Sequence, residues 1–211
     1  MFTHHDLAIL AGRSYSGPQS GRVALDVRYD LIPRGDEIAV VIPGTHPTDP
    51  LDWIRDLDAW PDWFAGIGLC HAGFASGGLA LWARLKAKGD LPASKRIVYT
   101  GHSLGGALAQ VLAALHAGQG RSPCRLVTFG APRVAFATNF RFGRLVRSSL
   151  DAVEYARAGD PVPDVPMRPW FKHPTRDVAI GKALPDSITN HSIALYAADL
   201  AASERWPLLN F

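Results

Sequence analysis

Apolar and polar positions along this chain follow two periods, and the switches between them mark its elements. Leu7, Leu10 and Ala11 fall at helical spacing and predict a helix over residues 3–16. From Arg22 to Leu31, Val23, Leu25, Val27 and Tyr29 alternate with polar partners, which predicts a half-exposed strand. Pro33 to Asp36 reads as a turn. Ile38 to Ile42 is an unbroken apolar run, as in a strand covered on both faces, and it ends at Pro43-Gly44-Thr45. Arg96–Thr100, Arg125–Gly130 and Val153–Arg157 read as further strands, with shorter ones starting at Gly68 and over Arg176–Ile180. Helices are predicted over Phe74–Lys88, Ala107–Ala117, 136–150 and Thr189–Glu204. Gly89 and Gly118 close the first two, and Thr189 or Asn190 caps the last. Strands alternating with helices imply an α/β fold with a mainly parallel central sheet and helices on both faces. Functional groups in such folds gather beyond the carboxyl ends of the strands.

Two stretches depart from this rhythm. Residues 46–64 hold three of the six tryptophans. Trp53, Leu57 and Trp60 fall at i, i+4 and i+7, one face of a short helix, with Trp63 and Phe64 beyond. A Pro-rich loop over 161–174 carries Trp170 and Phe171.

Composition narrows the class only slightly. The 211 residues read as one domain over 1–211, with 47% hydrophobic and 19% charged residues. A net charge of +3, scattered along the chain, gives no sign of nucleic-acid binding. No run of about 18 apolar residues predicts a spanning helix. The first residues lack a basic region followed by an apolar one, so the expected location is cytoplasmic, or secreted if a signal has been removed. Cys70 and Cys124 sit at apolar strand-like positions and read as free buried thiols. His4-His5 has no further ligands at suitable spacing, so neither a metal site nor a cofactor is expected.

The chemistry concentrates at Gly101-His102-Ser103-Leu104-Gly105-Gly106, between a predicted strand and an Ala- and Leu-rich helix. Gly-x-Ser-x-Gly in that context fits a nucleophile elbow, the strained turn of an α/β-hydrolase fold that exposes a serine Oγ. A side chain at 101 or 105 would collide where strand and helix pass. The plainer reading makes Ser103 an ordinary N-cap. A serine nucleophile needs a base and a group to orient it, and in this fold they follow in the order serine, acid, histidine. Among the later histidines, His116 lies inside the elbow helix, His173 in the Pro-rich loop and His191 at a loop-to-helix junction. His191 is favoured because a helix-supported ring is better held. Asp160, directly after a strand, is the favoured acid, ahead of Asp164 and Asp186. An oxyanion hole needs two N–H donors: Leu104 follows the nucleophile, and Gly44-Thr45 ends an earlier strand.

Taken in order, these landmarks resemble the class 3 lipases, the fungal-type α/β-hydrolases. The matching segments are Gly44-Thr45, Trp53-Ile54-Arg55-Asp56-Leu57, His71-Ala72-Gly73-Phe74, the elbow, Thr128-Phe129-Gly130-Ala131-Pro132-Arg133-Val134, Gly159-Asp160-Pro161-Val162-Pro163 and His191-Ser192. Pro43 stands where family members often carry Arg. The resemblance implies a serine carboxylester hydrolase acting on acylglycerols or related esters. It implies a Ser103, Asp160 and His191 triad, an oxyanion hole at Thr45 and Leu104, and a lid over 46–64. Trp53, Leu57, Trp60 and Phe64 would form the lid's apolar face over the acyl site. His71 reads as structural support. The implied partner is a lipid or small ester substrate at a lipid–water interface, with no nucleic acid and no stable protein partner. A second reading keeps the fold without turnover, as an idle binding or regulatory protein.

Overall fold

The computed structural model describes residues 1–17, 19–23, 27–45, 60–175 and 177–205. Its elements in chain order are α1 (His4–Arg13), β1 (Gly21–Arg22), β2 (Arg28–Arg34), β3 (Glu37–Ile42), β4 (Pro61–Phe64), β5 (Gly68–His71), α2 (Ala72–Lys88), β6 (Arg96–His102), α3 (Leu104–Gly118), β7 (Arg125–Phe129), β8 (Ala135–Phe136), α4 (Phe140–Arg147), β9 (Ala152–Arg157), β10 (Phe171–Lys172), β11 (Asp177–Ile180), α5 (Ser187–Asn190) and α6 (Ile193–Arg205).

The apolar runs form a seven-stranded sheet in the order β1-β2-β3-β6-β7-β9-β11. From β3 to β11 every neighbouring pair is parallel, and only the β1-β2-β3 edge is antiparallel. The fold is therefore the mainly parallel α/β-hydrolase sheet. Strand period explains why these runs look uniformly apolar in sequence. Val40 and Ile42 join Ile97, Tyr99 and Leu126 in one core, under α2, α3 and α4. Ala39 and Val41 join Val98, Val127 and Phe129 in the other, under α1 and α6. Successive side chains leave opposite faces of a strand, so a strand between two helical layers has no polar side.

Four expectations change. Arg22 to Leu31 is not one strand: β1 and β2 pair antiparallel, with Arg22 opposite Arg28. The helix expected over 136–150 starts only at Phe140, behind an Asn139 cap, because Ala135–Phe136 is claimed by strand pairing. The last helix does not begin at Thr189. Asp186 caps the four-residue α5, His191 sits at its C-cap, and α6 follows at Ile193. Residues 60–64 are not helical. Trp60 precedes β4, which pairs with β5 in a small sheet of order β10-β8-β5-β4. Pro61 opens that edge strand, where a missing N–H costs no ladder bond. Phe64 is half-buried, while Trp60 and Trp63 are 76% and 71% exposed. Trp53 and Leu57 lie outside the described residues.

Cys70 and Cys124 are both buried and unpaired, and burial pushes the Cys70 thiol up to about 12. Among the described residues no helix is long and apolar enough to cross a membrane. At the amino end of the sheet, Arg125 reaches Glu37 at 3.0 Å and Asp151 at 2.9 Å, and Phe2 N–H donates to Glu37 at 2.7 Å. That network closes one end of the parallel strands with paired charge. The opposite end carries the candidate chemistry.

Candidate active site

β6 runs into Ser103 and α3 starts at Leu104. Ser103 has φ 57° and ψ −130°, and it is the only non-glycine with positive φ among the described residues. Holding a serine there costs about 1–3 kcal/mol, which the surrounding packing must supply. The glycines of the motif permit that packing. A Cβ on Gly101 would overlap the Gly105 backbone, and one on Gly105 would overlap the Ile42 carbonyl. Although Ser103 occupies the N-cap position, its side chain makes no capping bond. The hydroxyl is thus not consumed by the helix, contrary to the plainer reading.

The carboxyl end of β3 lies against this turn. Gly44 is so close that a Cβ would stand 3.1 Å from Ser103 Cβ, and Thr45 follows it, exposed. Leu104, the first residue of α3, has no intrahelical acceptor for its N–H. The helix N-terminus adds partial positive charge beside Ser103.

Asp160 comes just beyond β9, and its side chain is fully buried. Three donors converge on its carboxylate. His191 Nδ1–H reaches Oδ2 at 2.8 Å, the Tyr196 hydroxyl donates to Oδ2 at 2.6 Å, and Val162 N–H donates to Oδ1 at 2.9 Å. Tyr196 itself accepts from Arg157 N–H at 2.9 Å. Burial, then the Asp160 charge, raises the Tyr196 hydroxyl well above its usual range, so it remains a donor. Gly130 leaves room for this cluster: with φ +56°, a Cβ there would stand 2.8 Å from Asp160 Oδ2 and 3.1 Å from His191 Cε1.

With Nδ1 committed to Asp160, His191 Nε2 is buried and has no hydrogen-bond partner. Its ring lies 4.4 Å from that of His102, the residue before Ser103. His102 Nε2–H donates to the His191 carbonyl at 2.8 Å. His102 Nδ1 then accepts from the Tyr15 hydroxyl at 2.7 Å. Burial, reinforced by His191, holds the His102 pKa well below the usual imidazole value, so the ring supports its neighbour without charge. Asn190 braces the same segment through Leu184 N–H and C=O, both at 2.9 Å.

The structure thus brings Gly44, Ser103, Asp160 and His191 to one edge of the sheet, from four separate segments. It does not bring the competing candidates there. His173 Nε2 bonds the Pro163 carbonyl at 2.7 Å, and His116 joins Tyr99 and the Ser122 carbonyl at the far end of α3. Asp164 pairs with Arg133 at 2.6 Å, and Asp186 caps α5. His71 caps α2 and stacks on Phe74 at 4.0 Å, a supporting place. Sequence reasoning missed Tyr196, Tyr15, Asn190 and the role of His102. The one available signal was Tyr196, a lone tyrosine among the Ala and Leu positions of the last helix.

Comparison with known proteins gives an independent view. The family described as Lipase (class 3) matches over residues 39–170, more than half of the chain. The match stops short of His191, so that residue rests on the geometry above. No curated protein sequence matches. Among solved structures, the chain is similar to the Rhizomucor miehei triacylglyceride lipase, with a TM-score of 0.70 and 22% identity over 82% of this chain and 77% of that one. It is also similar to Lip2 lipase from Yarrowia lipolytica, with a TM-score of 0.66 and 21% identity over 87% and 79%. The lipase of Rhizopus microsporus var. chinensis has a TM-score of 0.66 and 18% identity over 83% and 72%. At these identities the structural likeness carries the fold.

Proposed function

The chain belongs to the class 3 lipase family and is a carboxylester hydrolase; from that premise we propose that Ser103, His191 and Asp160 are its catalytic triad. Ser103 Oγ attacks the ester carbonyl while His191 Nε2 takes its proton. The proton then passes to the leaving alkoxide, and an acyl group remains on Ser103. Water, deprotonated by the same nitrogen, releases the carboxylic acid and restores the serine. Asp160 holds the ring with Nδ1 protonated and stabilises the imidazolium. The N–H of Leu104 and the N–H or hydroxyl of Thr45 would receive the oxyanion, a contribution worth about 10²–10³ in kcat per donor.

The observation that carries this reading is the state of His191: one nitrogen saturated by a buried carboxylate, the other unpartnered beside the elbow. Exposed Trp60 and Trp63 support an acylglycerol or similar ester presented at a lipid–water interface as the substrate class. The test is hydrolysis of short p-nitrophenyl esters together with labelling by a fluorophosphonate. The expected outcome is turnover and labelling that both vanish in Ser103→Ala. Turnover equal in the two proteins would remove Ser103 from the chemistry, and an unreactive parent would favour the idle-fold reading.

A further inference from the structure

Glu154, His173 and Asp177 lie away from the carboxyl-edge site and take no part in the chemistry above. We propose that these three side chains hold one divalent transition-metal ion, with Zn²⁺ the best-fitting candidate. The ion would tie the loop behind Asp160 to the outer edge of the sheet.

The register of the sheet supplies the first argument. Glu154 on β9 and Asp177 on β11 are direct partners in a parallel ladder. Two carboxylates side by side on one face repel, and the arrangement calls for a cation between them. His173 supplies the second. Its side chain is only 5% exposed, and its Nε2–H donates to the Pro163 carbonyl at 2.7 Å. That bond makes Nε2 the donor and turns Nδ1 toward the two carboxylates, the placement of an imidazole that binds a metal. Nδ1 is buried with no directed hydrogen bond. Glu154 Oε2 stands 2.7 Å away and Asp177 Oδ1 3.8 Å away. The shorter contact has the length of a hydrogen bond without its direction, which is how two ligands of one ion sit, since both aim at a third point.

Donor geometry and charge agree with this. The three donor atoms all lie within 4.8 Å of one another. An ion bound at about 2.0–2.2 Å from each donor requires them roughly 3–3.5 Å apart, between the two observed separations. A neutral imidazole with two carboxylates carries two negative charges, matched by a divalent ion, and a mixed nitrogen and oxygen set suits zinc better than calcium. The ligands are themselves held. Glu154 Oε1 accepts from Thr175 N–H at 3.2 Å and its hydroxyl at 2.5 Å, and Gln110 of α3 donates to Oε2 at 3.2 Å. Such outer partners orient metal-binding carboxylates. Asp177 is 32% exposed and borders an open groove of about 520 Å³, lined also by Arg168, Lys172 and Thr175. The groove offers an entry path and room for a water at a fourth position. Arg133 and Arg168 also act on Asp177 and temper the negative potential. Because His173 is anchored to Pro163, in the turn after Asp160, the ion would staple β9, β11 and the 161–174 loop.

A proton on His173 Nδ1 is the competing occupant, and the experiment separates the two. The full chain is stripped with a chelator, dialysed, and titrated with Zn²⁺, with uptake measured by calorimetry and elemental analysis. The expected result is one ion per chain, a higher Tm, and an X-ray absorption signal of one nitrogen and two carboxylate ligands. Asp177→Asn and Glu154→Gln should each weaken uptake at least ~10-fold and abolish the metal-dependent rise in Tm. Asp177→Asn, at a partly exposed edge position, should keep the metal-free Tm of the parent. No stoichiometric uptake by the parent would overturn the proposal. So would uptake that survives both substitutions, which would place the ion elsewhere, as at His4-His5.

Discussion

Two histidine–carboxylate pairs, both buried, flank the loop after β9, and their separations are nearly equal: 2.8 Å for His191 with Asp160 and 2.7 Å for His173 with Glu154. They differ in direction and in what the second ring nitrogen does. His191 spends Nδ1 on a carboxylate that two further donors hold, and its Nε2 is bare beside the elbow. His173 spends Nε2 on a backbone carbonyl, and its Nδ1 faces two carboxylates off the hydrogen-bonding axis. The first arrangement suits a ring that takes and returns a proton. The second suits a ring that joins segments. Distance alone does not distinguish the two, whereas the partner of the other nitrogen does.

The sharpest way to break this contrast is to remove each ring in turn. His191→Ala should lower kcat by about 10⁴–10⁶, the loss seen when a triad base is deleted. His173→Gln should keep kcat within about tenfold and lower Tm instead, because the buried Pro163 carbonyl loses its donor, a cost of about 1–3 kcal/mol. Steady-state rates and thermal melts of both variants check this. Similar kcat losses in the two would erase the distinction.

A smaller effect sharpens the His191 side. Tyr196→Phe removes one of three donors to Asp160, a loss of about 1 kcal/mol, and should lower kcat roughly tenfold at constant KM. With only His191 and Val162 left as donors, Asp160 holds the His191 ring less firmly in the orientation that aims Nε2 at the elbow. Steady-state rates and the Tm of this variant check the prediction. A lower Tm with kcat unchanged, or a kcat loss matched by a rise in KM, would make Tyr196 a packing residue only.

The smallest effect concerns a third pair, His4 with Asp151, at the amino edge of the sheet. The hydrogen bond from His4, then that from Arg125, lowers Asp151 from 3.8 to about 2 against the opposing cost of burial. A carboxyl depressed on folding stabilises the protein above its unfolded pKa. That contribution is lost as pH falls from about 4 toward 2. With this pair partly exposed it amounts to at most about 1 kcal/mol. Asp151→Asn should flatten the dependence of Tm on pH in that window and leave the rate of ester hydrolysis unchanged. An unchanged slope would show that other carboxyls govern acid unfolding.

Legibility in the sequence tracked how local each cause was. The run Ile38–Ile42 announced a doubly covered strand, since burial on both faces leaves no polar position to interrupt it. Gly101 and Gly105 announced the elbow, since the steric demand falls within a few residues of Ser103. Asp160 and His191 were legible as candidates because each follows a strand or precedes a helix. The helix start at Thr189 was misread because Asp186 caps and starts α5 earlier, and α5 ends at its His191 C-cap before α6 begins at Ile193. Residues 60–64 were misread because Trp60 fits a helical stripe as well as an extended segment, and pairing with β5 decides between them. Tyr196 and Tyr15 were invisible as site residues, because each meets its partner only after α6 and α1 dock on the same face of the sheet.

By itself, then, the chain's pattern determined the class of fold, the strained serine turn and the edge of the sheet where polar groups gather. These depend on side-chain period and backbone sterics, which act over a few residues. The tertiary structure alone decided which imidazole meets Asp160 with a free nitrogen, and which is turned between Glu154 and Asp177. Those outcomes depend on the direction of single hydrogen bonds between elements far apart in sequence. Such directions are set by how whole strands and helices pack against one another.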